Sequence, residues 1–276
     1  MRSIIVLVCF VLLSGFRYET DALIEYYPEP VRSIAYNNKA ARFGVLGFNV
    51  ALGCLKGGIG TDMSFWSGCW RGMIGGAVAY SGQWIASYVG EQPWTGGAGK
   101  LIQSAGVSMQ DNVAQNLGMF SRYQIDLGPA LITLGGGDGF RMSYSLVSAV
   151  GIGTAIGRGG KFDWKLSLAT LTPIFQANLD ADMFQGGENM TTGGIASGGV
   201  ILMNDQQHPG SFSAVLSHEY MHTLNWNHYR LAGNAFNLYG WDVGRDAAFG
   251  LFCLPNLTEK LYWWSPEELI AYTMER

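Results

Sequence analysis

Residues 198–226 read GGVILMNDQQHPGSFSAVLSHEYMHTLNW, and two periodicities meet in this stretch. Its start, GGVILMN, is a short apolar run opened by glycines, which suits a strand. Pro209 and Gly210 then break the chain. Ser211 is available to cap a helix whose apolar residues include Val215, Leu216, Leu224 and Trp226. A strand leading into a buried helix points to an α+β protein. On that helix His218 and His222 lie one turn apart and project from one face, the separation two imidazoles need to chelate a single Zn2+. Glu219 stands beside them, where a carboxylate can take a proton from a metal-bound water. Between Ser211 and Tyr229 nothing except Glu219 and the histidines can carry a charge. A metal-free helix burying these groups would have to satisfy several polar atoms in a dry setting. The H-E-x-x-H pattern is therefore read as a zinc site in preference to a plain core helix.

With its uncharged flanks and the strand before it, HEYMH resembles the zincin metallopeptidases over roughly Gly198 to Asn227. The resemblance implies a sheet edge strand beside the HExxH helix, to which an extended peptide substrate adds as a further strand. It also implies a third protein ligand, with water in the open position. His228 is one candidate, since 218, 222 and 228 repeat the H-E-x-x-H-x-x-G-x-x-H spacing of the metzincin branch, with Asn225 in place of the glycine. Asn is the next most tolerant residue of the left-handed turn this spacing needs, but the methionine turn has only Met274 to draw on. Glu268 is the rival. The ELIA within WWSPEELIAYTMER resembles the gluzincin element by which a second helix supplies a glutamate. Ser265, Pro266 and Glu268 also spell a capping box that needs no metal, and Glu267 is a neighbour that could substitute. Tyr272 stands where gluzincins often carry a further acidic residue. The gluzincin-like set of His218, His222 and Glu268 is preferred, with His228 as the alternative third ligand. Tyr229, Tyr239 and Tyr262 are candidates for stabilising an oxyanion, and His208 for a surface position near the cleft.

Composition bounds the partners. In 276 residues, 17 basic against 21 acidic side chains give a net charge of -4, with no basic run to track a phosphate backbone. Nucleic acid is excluded as a partner on that basis. Charged residues make up 14% of the chain, hydrophobic ones 48%, and there are 39 glycines, which describes a tightly packed protein rather than a disordered one. The N-terminal MRSIIVLVCFVLLSG carries one Arg, an apolar run from Ile4 to Leu13 and then small residues, the pattern of a signal peptide and only about half the length of a spanning helix. Its removal leaves Cys54, Cys69 and Cys253, an odd count that allows at most one disulfide. Cys54–Cys69 is the pair that would close a short loop. Asn189 and Asn256 head N-x-[ST] sequences, which matter only in a eukaryotic source.

Three textures follow the signal peptide. From 41 to 90 the chain is glycine-rich and almost uncharged, which predicts two closely packed helices joined near GGIGTD. Arg71, Gln83 and Asn49 interrupt these helices, so a buried hairpin is preferred over membrane association through residues 41–90. From 120 to 203 the alternation has period two. In FRMSYSLVSAV, Phe140, Met142, Tyr144 and Leu146 share one face, and in KFDWKLSLATLT, Phe162, Trp164, Leu166 and Leu168 do so. Together with RYQIDLGPALITL and GGVILMN these predict an open, half-buried antiparallel sheet. The last stretch is helical and aromatic. The expected organisation is a signal peptide over 1–22, a glycine-rich helical region over 23–118 and a β-rich and helical zincin-like region over 119–276, the latter two able to form one unit.

The functional expectation is an exported, zinc-dependent metallopeptidase of the periplasm, cell envelope or extracellular space. It would cut peptide or amide bonds through a metal-activated water with Glu219 as general base. The competing expectation is a non-enzymatic envelope or membrane-associated protein with a structural or vestigial HExxH. More loosely, the order of signal peptide, glycine-rich hairpin, SAGVSMQDN, strands and HEYMHT is similar to uncharacterised exported bacterial proteins, which implies an envelope setting and no activity.

Overall fold

In the computed structural model the described residues are 39–60, 62–137, 139–179, 193–205, 209–229, 237–238, 241–242, 246 and 266–274. The expected signal peptide, His208, Cys253, Asn189, Asn256, Tyr239, Tyr262 and Ser265 lie outside them, as do the side chains of Ser211, Tyr229, Glu267 and Tyr272.

The glycine-rich texture becomes two antiparallel helices, α1 (Lys39–Gly60) and α2 (Phe65–Ala86), followed by a third, α3 (Pro93–Ala114). A Cβ added at Gly53 would run into the carbonyl of Gly72, one at Gly57 into that of Gly68, and one at Gly76 into that of Asn49. The backbones of α1 and α2 therefore touch along a row of glycines. The same device joins α2 to α3, where Gly106 lies against Gly75 and Ala79, and Gly99 against Gly82 and Ala86. Cys54 and Cys69 are bonded across the α1–α2 seam. Two of the polar residues that interrupt these helices are internal. Asn49 donates from Nδ2 to Gln83 Oε1 at 2.9 Å, and both are fully buried. Lys56 pairs with Asp111 of α3 at 3.1 Å, while Arg71 stays exposed.

The fold class is α+β, and the strands of the described residues form no closed barrel. The strands form two sheets where a single open antiparallel one was expected. After β1 (Arg122–Leu127), β2 (Ala130–Gly135) and β3 (Phe140–Tyr144) come α4 (Leu146–Gly157), β4 (Lys161–Phe162), α5 (Trp164–Thr170) and β5 (Ile174–Ala177). They are followed by β6 (Gly194–Ser197), β7 (Val200–Asn204), α6 (Pro209–Asn225), a 3-10 turn (Trp226–Tyr229), β8 (Asn237–Leu238), β9 (Trp241–Asp242) and α7 (Pro266–Met274). One sheet has the order β1-β2-β3-β9-β8, the other β4-β5-β7-β6. Both are mixed, because β3 pairs with β9 and β5 with β7 in parallel.

Three further strand expectations are corrected. RYQIDLGPALITL is a hairpin of two strands that turns at Gly128. FRMSYSLVSAV stays extended only to Tyr144, because Ser145 accepts a hydrogen bond from the Ser148 amide and caps α4. Its apolar face also points outward: Phe140 is 63% exposed whereas Ser143 is buried. In KFDWKLSLATLT only two residues are strand, since Asp163 caps α5 by accepting from the Leu166 amide, and Phe162, Trp164 and Leu168 are exposed.

β7 anchors the core. It lies between β5 and β6, and all five of its residues are buried, as a strand covered on both faces requires. Ile201 and Met203 pack with Leu216, Tyr220, Met221 and Leu224 of α6, Ile270 and Met274 of α7, and Val45, Ala86 and Val89 of the helical bundle. Val200 and Leu202 point the other way, to Phe175, Ala177 and Ala155 of α4. The second sheet is thus held between α6 and α4, and α6 has the bundle on its other side.

Candidate metal centre

α6 begins at Pro209, two residues before the cap expected at Ser211. Pro is accommodated there because a helix's first turn has no intrahelical partner for its amides. The rest of α6 is locked on several sides. Tyr220 donates to the Thr170 carbonyl at 2.6 Å, and Ser217 Oγ accepts from the Gly90 amide at 3.1 Å. At its C-terminal end, where carbonyls lose their helical partners, Gln103 of α3 donates to the Leu224 carbonyl and Gln83 of α2 to Asn225 Oδ1, each at 3.0 Å. Asn227 donates to Gln103 Oε1 at 3.0 Å. The polar residues of the bundle therefore fix the end of the HExxH helix.

On the free face of α6, the two imidazoles and Glu268 of α7 converge. His218 Nε2 lies 3.2 Å from His222 Nε2 and 3.2 Å from Glu268 Oε2, and His222 Nε2 lies 3.4 Å from Glu268 Oε1. A tetrahedral zinc with bonds of about 2.0–2.1 Å sets its ligand atoms roughly 3.3 Å apart. The three side chains therefore have the spacing of one face of such a tetrahedron and could hold a metal. His218 and Glu268 are buried and His222 is half-buried. Burial works to raise the Glu268 carboxyl, but the His222 charge and hydrogen bonds from both imidazoles outweigh it and hold the group well below the usual carboxylate range. Burial likewise opposes the His222 imidazolium, yet the adjacent Glu268 carboxylate raises it above its usual value.

Glu219 is separate from this triad and differently placed. Burial pushes its carboxyl up, and the two histidines only partly offset the shift. Its carboxylate accepts a hydrogen bond from the backbone N–H of Ala196 on β6. It passes over Gly194 so closely that a Cβ there would lie 2.7 Å from Glu219 Cγ and 3.0 Å from Val215 Cγ1. β6 is an edge strand of its sheet and lies against α6. The strand expected in that place, GGVILMN, is instead internal. Gly198, at φ 59°, turns the chain so that β6 folds back outside β7.

His228 is carried elsewhere. A metzincin-type turn would need Asn225 in the left-handed region, but Asn225 ends the helix without positive φ and the chain tightens into the 3-10 turn. His228 Nε2 then lies 3.4 Å from Gln83 Nε2, on the bundle side, and among the described residues the cluster that could hold a metal is His218, His222 and Glu268. Residues that the sequence did not mark are Gly194, Ala196 and Gln103, and Gln83 was marked only as a polar interruption of its helix. The pair of glycines in TTGGIAS was the one available signal for the close approach, and nothing local tied either glutamine to α6.

Comparison with family models, curated proteins and solved structures returns no match. The chemistry of this centre is therefore argued from its own geometry.

Proposed function

We propose that the chain is an exported zinc-dependent metallopeptidase of gluzincin-like type, with His218, His222 and Glu268 as ligands and Glu219 as general base. The observation that carries this reading is the convergence of two imidazole nitrogens and one carboxylate, at 3.2–3.4 Å spacing, from helices fifty residues apart in sequence. Beside them stands a second buried acid, Glu219, that is not needed as a ligand. A zinc ion bound there supplies a Lewis acid that polarises a carbonyl and acidifies water.

The protein's own contribution is position and proton handling. A carboxyl raised by burial is suited to take a proton at one stage and return it at another, and the Ala196 amide keeps Glu219 aimed while it does so. β6 offers an edge to which an extended peptide can pair, which favours peptide bonds as the substrate class. The test is metal analysis and hydrolysis of a denatured protein substrate by the mature chain. The expected result is one equivalent of zinc in both wild type and Glu219→Gln, with turnover in wild type only. A folded wild type that takes up no zinc would overturn the proposal, as would a Glu219→Gln variant with full activity.

A further inference from the structure

The outer face of the α1–α2 hairpin carries large apolar side chains that none of the described elements covers. Trp66 is 76% exposed, Trp70 63%, Trp84 44% and, on α1, Phe43 71%. At 100° per residue Trp66, Trp70 and Trp84 fall on a single stripe of α2, with Met73 and Ala77 beside it and Arg71 about 100° or more away. Contiguous exposed apolar surface of this kind marks an interaction site. Three observations say what covers it.

The first is residue type. Trp66, Trp70 and Trp84 are spread over about 27 Å of one helix, and Trp is favoured where hydrocarbon meets headgroups, so a helix lying in the plane of the interface places all three there. Ala41–Gly60 of α1 has a mean hydropathy of 1.4 over its most apolar window, of which 22% is buried, and while Val45 enters the core, Phe43 and Ile59 are exposed. The second is polar satisfaction. Asn49, Gln83 and Lys56 all turn inward to partners, the arrangement that a lipid-facing helix requires. The third is charge. With Lys56 neutralised inside by Asp111, residues 39–86 leave Lys39, Arg42 and Arg71 against one acidic residue, Asp62, whereas the whole chain carries -4. A second copy of the same basic hairpin would repel this face, while an anionic lipid surface attracts it.

We infer that the α1–α2 face seats the protein on an anionic lipid bilayer, its aromatic side chains entering the acyl boundary. The inference is independent of the metal centre. It implies that α6, fastened to α2 and α3 by Gln83 and Gln103, works at the membrane surface.

The test is flotation of the full mature chain with vesicles of phosphatidylcholine containing phosphatidylglycerol. Wild type is expected to rise with the vesicles, and the triple variant Trp66→Ser, Trp70→Ser, Trp84→Ser to lose binding by about tenfold or more with unchanged circular dichroism. Quenching of tryptophan fluorescence by brominated acyl chains reads the same contact in wild type without any substitution. Wild type that stays unbound and unquenched with lipid in excess overturns the inference. So does a wild-type dimer in lipid-free light scattering that the triple variant converts to monomer, since the face would then belong to a second copy.

Discussion

Gly194→Ala is the substitution that most directly tests how Glu219 is held. The added Cβ would lie 2.7 Å from Glu219 Cγ and 3.0 Å from Val215 Cγ1, whereas carbon atoms pack at about 3.5–4.0 Å. Relief requires roughly 0.8 Å of movement or more, and β6 is pinned by its ladder to β7, from Gly194 opposite Met203 to Ser197 opposite Val200. The Glu219 side chain is the softer partner, and as it withdraws it leaves the Ala196 amide. Displacement approaching 1 Å at a reacting group costs on the order of a hundredfold in rate. The expectation is therefore a fall in kcat of about 10- to 100-fold, or roughly 1.4–2.7 kcal/mol in the barrier, with KM changing little. The assay is hydrolysis of fluorescein-labelled casein by proteins matched for zinc content and circular dichroism. Glu219→Gln combined with Gly194→Ala should be no slower than Glu219→Gln alone, because the base whose aim was lost is already gone. A wild-type kcat in Gly194→Ala would refute the reasoning. Loss of zinc along with activity would refute it too, since the damage would then have reached His218.

The proposed ligand assignment separates Glu268 from His228, the two residues that the sequence left as rivals for the third position. His222→Ala and Glu268→Ala are each expected to lower bound zinc well below one equivalent by mass spectrometry, while His228→Ala keeps a full equivalent and the third-ligand position stays with Glu268. The glycine seam predicts opposite signs for one chemical change. Gly72→Ala drives a methyl into the Gly53 carbonyl and should cost about 3 kcal/mol or more, whereas Gly47→Ala meets nothing within 4 Å and should stabilise by roughly 1 kcal/mol through helix propensity. Urea unfolding of the two variants measures both, and a Gly72→Ala protein as stable as wild type would contradict the packing described.

The parts of this protein legible in the sequence are those that a few neighbouring residues decide. His218 and His222 share a face because a helix repeats every 3.6 residues, and Glu219 follows from the same spacing. The α1–α2 pair is announced by its glycines and by Cys54 and Cys69. Side-chain alternation also revealed strands, but it could not say which face of each would be covered. Phe140, Met142 and Tyr144 form a stripe as expected, and the protein turns that stripe outward because the β1–β3 sheet meets α3 with its other side, where Gln124, Thr133 and Ser143 are buried. Ser145 and Asp163, each able to cap a helix, overrode the alternation that surrounds them.

What tertiary structure alone decided lies across long sequence separations. His228 and Glu268 both had plausible local spacing, and the choice between them turned on whether Asn225 would leave the helix in the left-handed region or continue into a 3-10 turn. That outcome is settled by Gln83 and Gln103, 142 and 121 residues away from their partners at the helix end. The edge strand is β6 rather than β7 because Gly198 reverses the chain and β5 takes the other side of β7. Sequence alone determined the His218–His222 pair, the adjacent acid and the seam of the helical hairpin, since each depends on local periodicity and residue size. The approach of Glu268 to that pair, the strand beside Glu219 and the direction of the apolar faces depend on which distant surfaces meet, and no local pattern contains that information.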